Sequence, residues 1–203
     1  MDVLLLFVLI LMFSLRFSSV QSYLAEKLVN TYLSDCNSSF SIKYLDTDFY
    51  QSIRLRDVTI IDEQGLEFIY VESLRVDFKS LINLKDDLSF SNLELIEPEF
   101  KIRVYKGDSI SNFSRWLSCI PKSETGTELY LSIYNTEIQD GIFSFIDENK
   151  LNDSTSGEIN FKNLELNNIN LSSNEFKLIN DSVSASVENL TLNEQSGFAI
   201  RKF

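Results

Sequence analysis

The feature that most constrains the fold is a one-residue slip in the alternation of apolar and polar residues within Leu88–Tyr105. At its start, Leu88 and Phe90 alternate with serines, which is the period of a half-buried strand. After Asn92 the apolar positions move by one residue and continue from Leu93. Such a slip turns every later side chain to the opposite face unless a bulge or bend absorbs it. We therefore predict a bend near Asn92 that keeps one apolar face.

The same frame recurs around Asp57, Asn135, Asn163 and Asn189. With the Asn or Asp as origin, apolar residues lie four and two positions before it, and one and three positions after it. The frame at Asn135 has one defect, Thr136. The origins are unevenly spaced, so the pattern is not a strict solenoid repeat. We predict one strand–bend–strand unit used repeatedly with variable connectors; chance alternation in a β-rich chain is the alternative.

Composition excludes several classes of function. The chain has 203 residues, a net charge of −12 and no histidine. The negative charge disfavours nucleic acid as a partner, and the lack of histidine removes the commonest general base and metal ligand. The cysteines, Cys36 and Cys119, have no metal-ligand spacing. They would form one disulfide in an exported protein or remain two buried thiols.

Catalytic motifs are absent from the sequence, which has no nucleophile elbow, phosphate-binding glycine loop or metal-ligand cluster. Acidic pairs occur where we expect strand ends, at Asp62-Glu63, Asp86-Asp87 and Asp147-Glu148. We interpret them as solvated turns rather than as a catalytic carboxylate pair. We therefore predict that the protein is not an enzyme and has no catalytic residue, metal site or cofactor.

The N-terminal segment is apolar enough to direct export. Residues Val3–Phe13 are continuously apolar, and the stretch runs on to Val20 with one charge, Arg16. Three interpretations stay open: an uncleaved membrane anchor, a signal peptide cut near Ser22, and a buried core helix. We predict the anchor, over residues 1–21, although no Lys or Arg precedes the apolar run.

Two short helices and a β domain are expected after the anchor. The first helix, over residues 22–35 with Ser22 as its N-cap, is predicted to be an amphipathic lid on the end of a sheet. A membrane-surface helix is the less favoured alternative, because Lys27 is its only basic residue. The second is predicted near residues 109–120. Their apolar faces would be formed by Leu24, Leu28 and Tyr32 in the first helix and by Ile110, Phe113 and Leu117 in the second. The rest of residues 36–203 is predicted to be mainly β, with a turn at Asp140-Gly141.

One face of the predicted sheet is apolar. Between its residues lie charged ones such as Arg75, Asp77, Lys101 and Arg103, which alternation places on the other face. The candidate lining of the apolar face is Leu74, Val76, Phe78, Phe100, Ile102, Val104, Leu131, Ile133, Phe143 and Phe145. A sheet with one apolar face must cover that face. A second sheet would give a β-sandwich, and lipid chains would cover an open groove.

A family resemblance rests on the order of several segments. These are VQSYLAEKLVNTYLS, SIKYLDTDFYQSIRLRDVTIIDEQG, FIYVESLRVDFKSLINLK, LSFSNLELIEPEFKIRVYKGDSISNF and ENLTLNEQSGFAI. In this order the chain resembles the N-terminal region of the AsmA-like translocation and assembly module proteins, the TamB family of Gram-negative bacteria. It departs from them in its short N-terminus without basic residues and in its length, so we expect it to be the front of a longer protein.

The resemblance implies a fold and a role. It implies an inner-membrane, single-pass anchor through residues 3–20, a body in the periplasm, and a curved, repetitive antiparallel or mixed sheet that forms a taco-like groove. It further implies transport of phospholipid between membranes, outer-membrane biogenesis, no enzyme activity and an outer-membrane assembly partner bound by a missing C-terminal region. The alternative is a secreted or surface β-sandwich of structural or adhesive function with a cleaved signal peptide.

Overall fold

The computed structural model describes residues 17–47, 51–79, 88–119, 130–150, 159–179 and 182–201. In this part of the chain, two helices accompany one sheet: α1 (Ser18–Leu33), followed by a 3₁₀ turn (Ser34–Cys36), and α2 (Asn112–Cys119). The strands are β1 (Ser39–Thr47), β2 (Ser52–Ile61), β3 (Glu67–Phe78), β4 (Leu88–Val104), β5 (Tyr130–Asp147), β6 (Asn163–Ile179), β7 (Ser182–Glu194) and β8 (Ala199–Ile200). The prediction of a mainly β fold with a short helix near 109–120 is confirmed.

The sheet is open and mixed, and each strand pairs with its neighbours in the sequence. Every pair is antiparallel except β4 and β5, which run parallel with Leu88 beside Leu131 and Val104 beside Asp147. A parallel pair needs a crossover connection, and α2 lies in the connection between these two strands. The connection therefore explains why the second helix interrupts an otherwise continuous run of strands.

Helix α1 lies along the outer edge of β1 and bonds to it through polar side chains. The Asn30 side chain accepts a hydrogen bond from the Phe40 backbone N–H at 2.7 Å and donates one to the Phe40 carbonyl at 2.7 Å. The Leu45 N–H donates to Ser22 Oγ at 2.8 Å, and Ser18 Oγ donates to the Leu45 carbonyl at 2.6 Å. These side chains satisfy backbone groups of β1 as a neighbouring strand would.

The predicted orientation of the first helix is wrong. The helix begins at Ser18 rather than at residue 22, so Ser22 is not its N-cap but lies within it, 6% exposed. Leu24 and Leu28, the expected packing face, are 46% and 60% exposed. The side chain of Tyr32 lies outside the description. The helix is held instead by the hydrogen bonds of Ser22 and Asn30 to β1 and by Leu33, which is 6% exposed.

The predicted anchor falls largely on residues 1–16, which lie outside the described residues. Its last residues, from Ser18 onward, belong to α1. Within the described ranges, no helix has both the length and the apolar character needed to cross a bilayer.

Four strands bend at one level of the sheet. Asp57, Glu97, Asp140 and Asn168 have φ of 51°, 48°, 52° and 50°, the left-handed region that few residues other than glycine adopt. The strand register places Glu72 opposite both Asp57 and Glu97, and places Asp140 beside Glu97. We call Asp57, Glu97, Asp140 and Asn168 the bend line. Only Asp57 of these four was predicted as a bend origin.

Two other predicted origins lie beside register shifts. In β4, Ser91 is an extra residue relative to β3, and Asn92 follows it. In β7, Glu188 is an extra residue relative to β6, and Asn189 follows it. A bulge of this kind absorbs a one-residue slip, so the apolar residues on both sides stay on one face. The predicted bends near Asn92 and Asn189 are confirmed as bulges.

The remaining predicted origins behave differently. Asn135 lies in continuous register with both β4 and β6, without a bulge. Asn163 begins β6, and Phe161, two residues before it, is 74% exposed, so that frame does not describe two strands. The predicted turn at Asp140-Gly141 is a bend inside β5, which continues through it for a total of 18 residues.

Helix α2 covers the end of the sheet at β3. Phe68, 1% exposed, has its ring centroid 5.9 Å from that of Trp116 and 6.2 Å from that of Phe113. Asn112 at the start of the helix is also 1% exposed. The predicted apolar face points largely to solvent, with exposures of 49% for Ile110, 37% for Phe113 and 46% for Leu117. The helix packs instead through Asn112 and Trp116.

The most buried apolar cluster lies over β1, β2 and β3. Ile42, Val58 and Val71 are 6%, 6% and 4% exposed and sit side by side in the register. Both cysteines are thiols, with Cys36 buried and Cys119 half-buried. The well-packed core is therefore confined to the first strands, and the longer strands that follow contribute to it only through partly buried neighbours.

Candidate functional site

The predicted lining residues lie on one face of the sheet. Phe100 is the direct neighbour of Phe143 across the parallel pair, and Ile102 is the direct neighbour of Phe145. The β3 residues Leu74, Val76 and Phe78 lie at a different level along the strands. They connect to the others through three β4 residues that the prediction omitted from the lining, Leu95, Leu93 and Phe90.

The face stays continuous across the bends. Phe90 pairs with Phe78 and Leu93 pairs with Val76, so β4 residues three positions apart meet β3 residues two positions apart. The rings of Phe78 and Phe90 lie 5.3 Å apart between centroids. Leu55 and Val58, on either side of Asp57, pack in the same cluster. The bulges and bends thus hold the apolar residues of several strands on one side.

This face is incompletely covered. Of the ten predicted lining residues, Ile133 alone is buried, at 6% exposure, and the other nine are half-buried. The described residues form a single sheet, and both helices lie at its margins, α1 on the β1 edge and α2 at the β3 end. Apolar side chains in a packed core would be almost fully buried. The exposed area on β3, β4 and β5 therefore has room for another apolar layer.

At one level the face is polar on β5 and β6, while Val76 and Leu93 keep it apolar on β3 and β4. Thr136 and Ser173 are opposite each other in β5 and β6, at positions where the neighbouring strand β4 has Leu93. Ser173 is 4% exposed. The Thr136 hydroxyl is buried and has no hydrogen-bond partner among the described residues. The sequence already indicated a polar residue here, because Thr136 is the one non-apolar position in the frame around Asn135.

A cleft of about 200 Å³ lies beside the buried part of the face. Phe90, Ile133 and Phe176 line it and are consecutive neighbours across β4, β5 and β6. Lys79 and Lys177 also line it, and Lys177 lies 3.8 Å from Glu175. Glu175 lines the cleft too, so charges of both signs lie beside its apolar wall. Sequence reasoning did not single out these lysines, because they are remote in the chain.

The opposite face of the sheet is polar and carries a hydrogen-bonded ladder. Asn135 donates to Asn92 at 2.9 Å, and Asn92 donates to Asp77 at 3.0 Å. Arg75 Nε lies 3.0 Å from the same carboxyl group. A second cleft, of about 380 Å³, lies along this ladder and extends to Glu188. Of the charged residues predicted to alternate with the apolar lining, Arg75 and Asp77 belong to this ladder, whereas Lys101 forms ion pairs with Glu67 and Glu99.

A buried polar network fixes α2 to the sheet. The Asn112 amide donates to the Asp62 carboxylate at 3.0 Å and to the Lys101 carbonyl at 3.1 Å, and its oxygen accepts from the Arg103 N–H at 2.9 Å. The Tyr105 hydroxyl donates to the same Asp62 oxygen. Burial acts to raise the pKa of Asp62, but hydrogen bonds, led by those from Tyr105 and Asn112, hold it below its ordinary value.

The pKa of the neighbouring Tyr105 shifts in the opposite direction. Burial, together with the hydrogen bond and charge of Asp62, raises the pKa of Tyr105. Arg115 on α2 extends the network through two ion pairs, with its guanidinium 2.9 Å from Glu63 and 2.7 Å from Asp108. The Asp62-Glu63 pair therefore stabilises a turn and a helix. The prediction of a solvated turn is wrong for Asp62, whose side chain is 3% exposed.

Metal ligands do not cluster in the described ranges, where no three His, Cys, Asp or Glu side chains are placed to hold one ion. Comparison with protein-family models gave no match. A search of curated proteins likewise found no match.

Proposed function

We propose that this protein is a membrane-anchored periplasmic β-groove protein of the TamB/AsmA type, which carries phospholipid acyl chains on the apolar face of its sheet. In this proposal, residues 3–20 hold the chain in the inner membrane by a single pass. The body contributes to phospholipid transport between membranes and to outer-membrane biogenesis. An outer-membrane assembly partner would bind through a region C-terminal to this chain.

One observation carries the proposal: a continuous apolar face on long strands whose side chains remain half-buried, with no second sheet over them among the described residues. Burying one methylene group stabilises a complex by about 0.8 kcal/mol. An acyl chain of about 16 carbons therefore gains on the order of 12 kcal/mol by staying on such a face. Movement along a continuous face avoids the far less favourable exit into water.

The bend line supports the groove shape. Bulges and left-handed residues bend strands and increase their local twist. Because the bends in β2, β4, β5 and β6 occur at one level, their effects add across the sheet. Bending at one level makes one side of a sheet concave, and we propose that the apolar face is that side, because a concave surface contacts a cylindrical acyl chain over more of its area than a flat one does.

The second candidate is a secreted or surface β-sandwich of structural or adhesive function. It needs a second sheet over Phe100, Ile102, Phe143 and Phe145, and the described residues supply none. These four side chains are also only half-buried, whereas apolar residues of a packed core are almost fully buried. These observations favour the groove.

The test is photolabelling of the full-length chain in phospholipid vesicles with a phospholipid whose acyl chain carries a diazirine. We expect labels on peptides containing Phe100, Ile102, Phe143 and Phe145, and none on the opposite-face ladder around Asn92. Mass spectrometry of the digested protein locates the labels. A label distributed equally over both faces, or absent from the sheet, would overturn the proposal and favour the sandwich.

A further inference from the structure

The two cysteines lie at one end of the sheet, on segments that are remote in the chain but close in space. Cys36 ends the 3₁₀ turn that leads into β1, and Cys119 ends helix α2. The Cα atoms of this turn and of α2 approach within 8 Å of each other. Cys36 is 7% exposed and Cys119 is half-buried. The interface between the turn and the helix therefore has a cysteine on each side.

The direction of α2 brings its last turn toward β1. Asn112, at the start of the helix, bonds to the backbone of β4. Trp116, one turn further along, packs against Phe68 of β3, and the strands lie in sequence order, so the helix runs from β4 across β3 toward β1. Neighbouring strands are about 4.8 Å apart, which places β1 about 14 Å from β4. Cys119 lies about 10 Å beyond Asn112 along the helix, so the end of α2 is the part that reaches the 3₁₀ turn.

Helical spacing places Cys119 on the packed side of α2. Asn112, Trp116 and Cys119 are separated by four and three positions, and residues spaced in this way lie along one side of a helix. Asn112 is 1% exposed and Trp116 contacts Phe68. Leu117, which lies on another side, is 46% exposed. The side chain of Cys119 therefore belongs to the side of the helix that packs against the end of the sheet.

We propose that Cys36 and Cys119 are a redox pair that forms one intramolecular disulfide, which fastens the end of α2 to the turn before β1. The Cα atoms of two residues joined by a disulfide are about 4–7 Å apart. Segments that approach as closely as these can therefore be bridged by a small movement of the last helical turn. The pairing rests on this geometry and not on the proposed carriage of lipid.

The oxidant is a disulfide, supplied by a protein oxidoreductase or by oxidised glutathione. Cys119 is the more accessible thiol, and its Sγ donates a weak hydrogen bond to the Arg115 carbonyl at 3.3 Å. Its thiolate attacks one sulfur of the oxidant, whose S–S bond breaks and whose other sulfur leaves as a thiolate. The Cys36 thiolate then attacks Cys119 in this mixed disulfide and releases the second thiolate. The two cysteines lose two electrons, and their two protons pass to the two thiolates that leave.

The disulfide would close a loop that contains the best-packed part of the sheet. Strands β1 to β4 lie between Cys36 and Cys119, and they include the buried cluster of Ile42, Val58 and Val71. A disulfide across a long loop restricts the unfolded chain more than the folded one. Oxidation is therefore expected to stabilise the fold and to raise its urea midpoint by about 1 M.

The experiment compares the reduced full-length chain with the same protein incubated with oxidised glutathione. Remaining thiols are blocked with N-ethylmaleimide, and mass spectrometry of the non-reduced digest identifies linked peptides. Cys36→Ala removes one partner. The matched control moves the other cysteine by one residue, as Ser118→Cys in a Cys119→Ser background, which turns the thiol by about 100° to the exposed side of α2. Circular dichroism establishes that each protein is folded before oxidation.

We expect a peptide that links Cys36 to Cys119 in the wild type, with the rise in urea midpoint, and neither effect in Cys36→Ala. The Ser118→Cys control should give at least about fivefold less of the linked peptide. A glutathione adduct on Cys119 without a link to Cys36 overturns the pairing, and so does a disulfide between two copies on a non-reducing gel. Equal cross-linking of the control, or a link that forms only in urea, shows that the folded structure does not set the pairing and also overturns it.

Discussion

Asn112 donates a 3.0 Å hydrogen bond to the carboxylate of Asp62, 50 residues away in the chain, and both side chains are buried. This bond fastens the crossover helix α2 to the turn between β2 and β3. It lies at the end of the apolar face rather than on it. Substitutions of Asn112 or Asp62 therefore test the stability of the fold separately from the proposed binding of lipid to the apolar face.

Replacing Asn112 by Ala is expected to lower the free energy of unfolding by about 2–4 kcal/mol, because it leaves the Arg103 N–H and an Asp62 oxygen buried without this partner. Urea unfolding followed by circular dichroism measures the change. Ser118→Ala on the exposed side of α2 is the control, with an expected effect within about 0.5 kcal/mol. Equal effects of the two substitutions would contradict the role of the network.

Stability is expected to fall at both ends of the pH range. The pKa of Asp62 is lower in the folded chain, so its carboxylate stabilises the fold above its unfolded pKa, about 4, and this is lost as pH falls through the lower folded value. The pKa of Tyr105 is raised, so its contribution is complete below about pH 10 and is lost as pH rises further. Urea midpoints measured from acid to alkaline pH would show both losses.

Tyr105→Phe tests the coupling between these two groups. It removes the titrating hydroxyl, so the alkaline loss of stability should shrink, and it also removes one hydrogen bond that lowers the pKa of Asp62. The folded pKa of Asp62 then moves back toward its unfolded value, so the acid loss of stability should also become smaller than in the wild type. An alkaline profile identical to that of the wild type would show that Tyr105 does not couple to folding.

Ile102→Asp places a carboxylate on the apolar face, where burial without a partner costs several kcal/mol or raises its pKa. For an open groove we expect normal accumulation of the protein with at least a twofold loss of co-purifying phospholipid. Ser144→Asp is the matched control, because Ser144 alternates with the apolar residues Phe143 and Phe145 and is the register neighbour of Lys101. Protein level and bound phospholipid are measured together in the three proteins.

Degradation of the Ile102→Asp protein, or a wild type without bound phospholipid, would count against the groove. The first result is the behaviour of a closed core. The control separates an effect of the face from an effect of added charge, because both substitutions introduce one carboxylate into adjacent strands.

Glu97→Val tests the bend line. Glu97 is exposed and has φ of 48°, a conformation that costs a residue with a Cβ about 1–2 kcal/mol and is worst for a β-branched side chain. We expect Val to destabilise the fold by about 1–2 kcal/mol, and Gly to be neutral or stabilising. Glu137→Val, at an exposed position of β5 without positive φ, should change stability by less than about 0.5 kcal/mol. Urea unfolding compares the three variants, and similar losses at 97 and 137 would show that backbone strain is not the cause.

The strands and their apolar face could be predicted from the sequence, because alternation is a local property that each strand carries by itself. The slip at Asn92 correctly indicated a bulge for the same reason. A turn was predicted at Asp140-Gly141 because of its glycine, although the strand continues through it, whereas the bends at Glu97 and Asn168 were not predicted. They are set by register with neighbouring strands, which alternation alone does not specify.

The helix orientations could not be predicted, because each depends on a partner distant in the sequence. Leu24 and Leu28 share a helical side, but the edge of β1 binds the polar side of α1 instead. In α2, the network around Asn112 turns Ile110 and Leu117 outward in the same way. The clustering of Lys79 and Lys177 near Phe90 is likewise a product of tertiary register.

Asn30 bonds to both backbone groups of Phe40, so these groups of β1 are not available to pair with a further strand. An uncovered strand edge is a template on which further chains add and aggregate. Here α1 seals the first edge, whereas β8 covers β7 only at Leu192 and Asn193 within the described residues. Any added strand, from this polypeptide or another, must therefore join at the β7 side, so elongation of the sheet proceeds away from the N-terminal helix and never toward it.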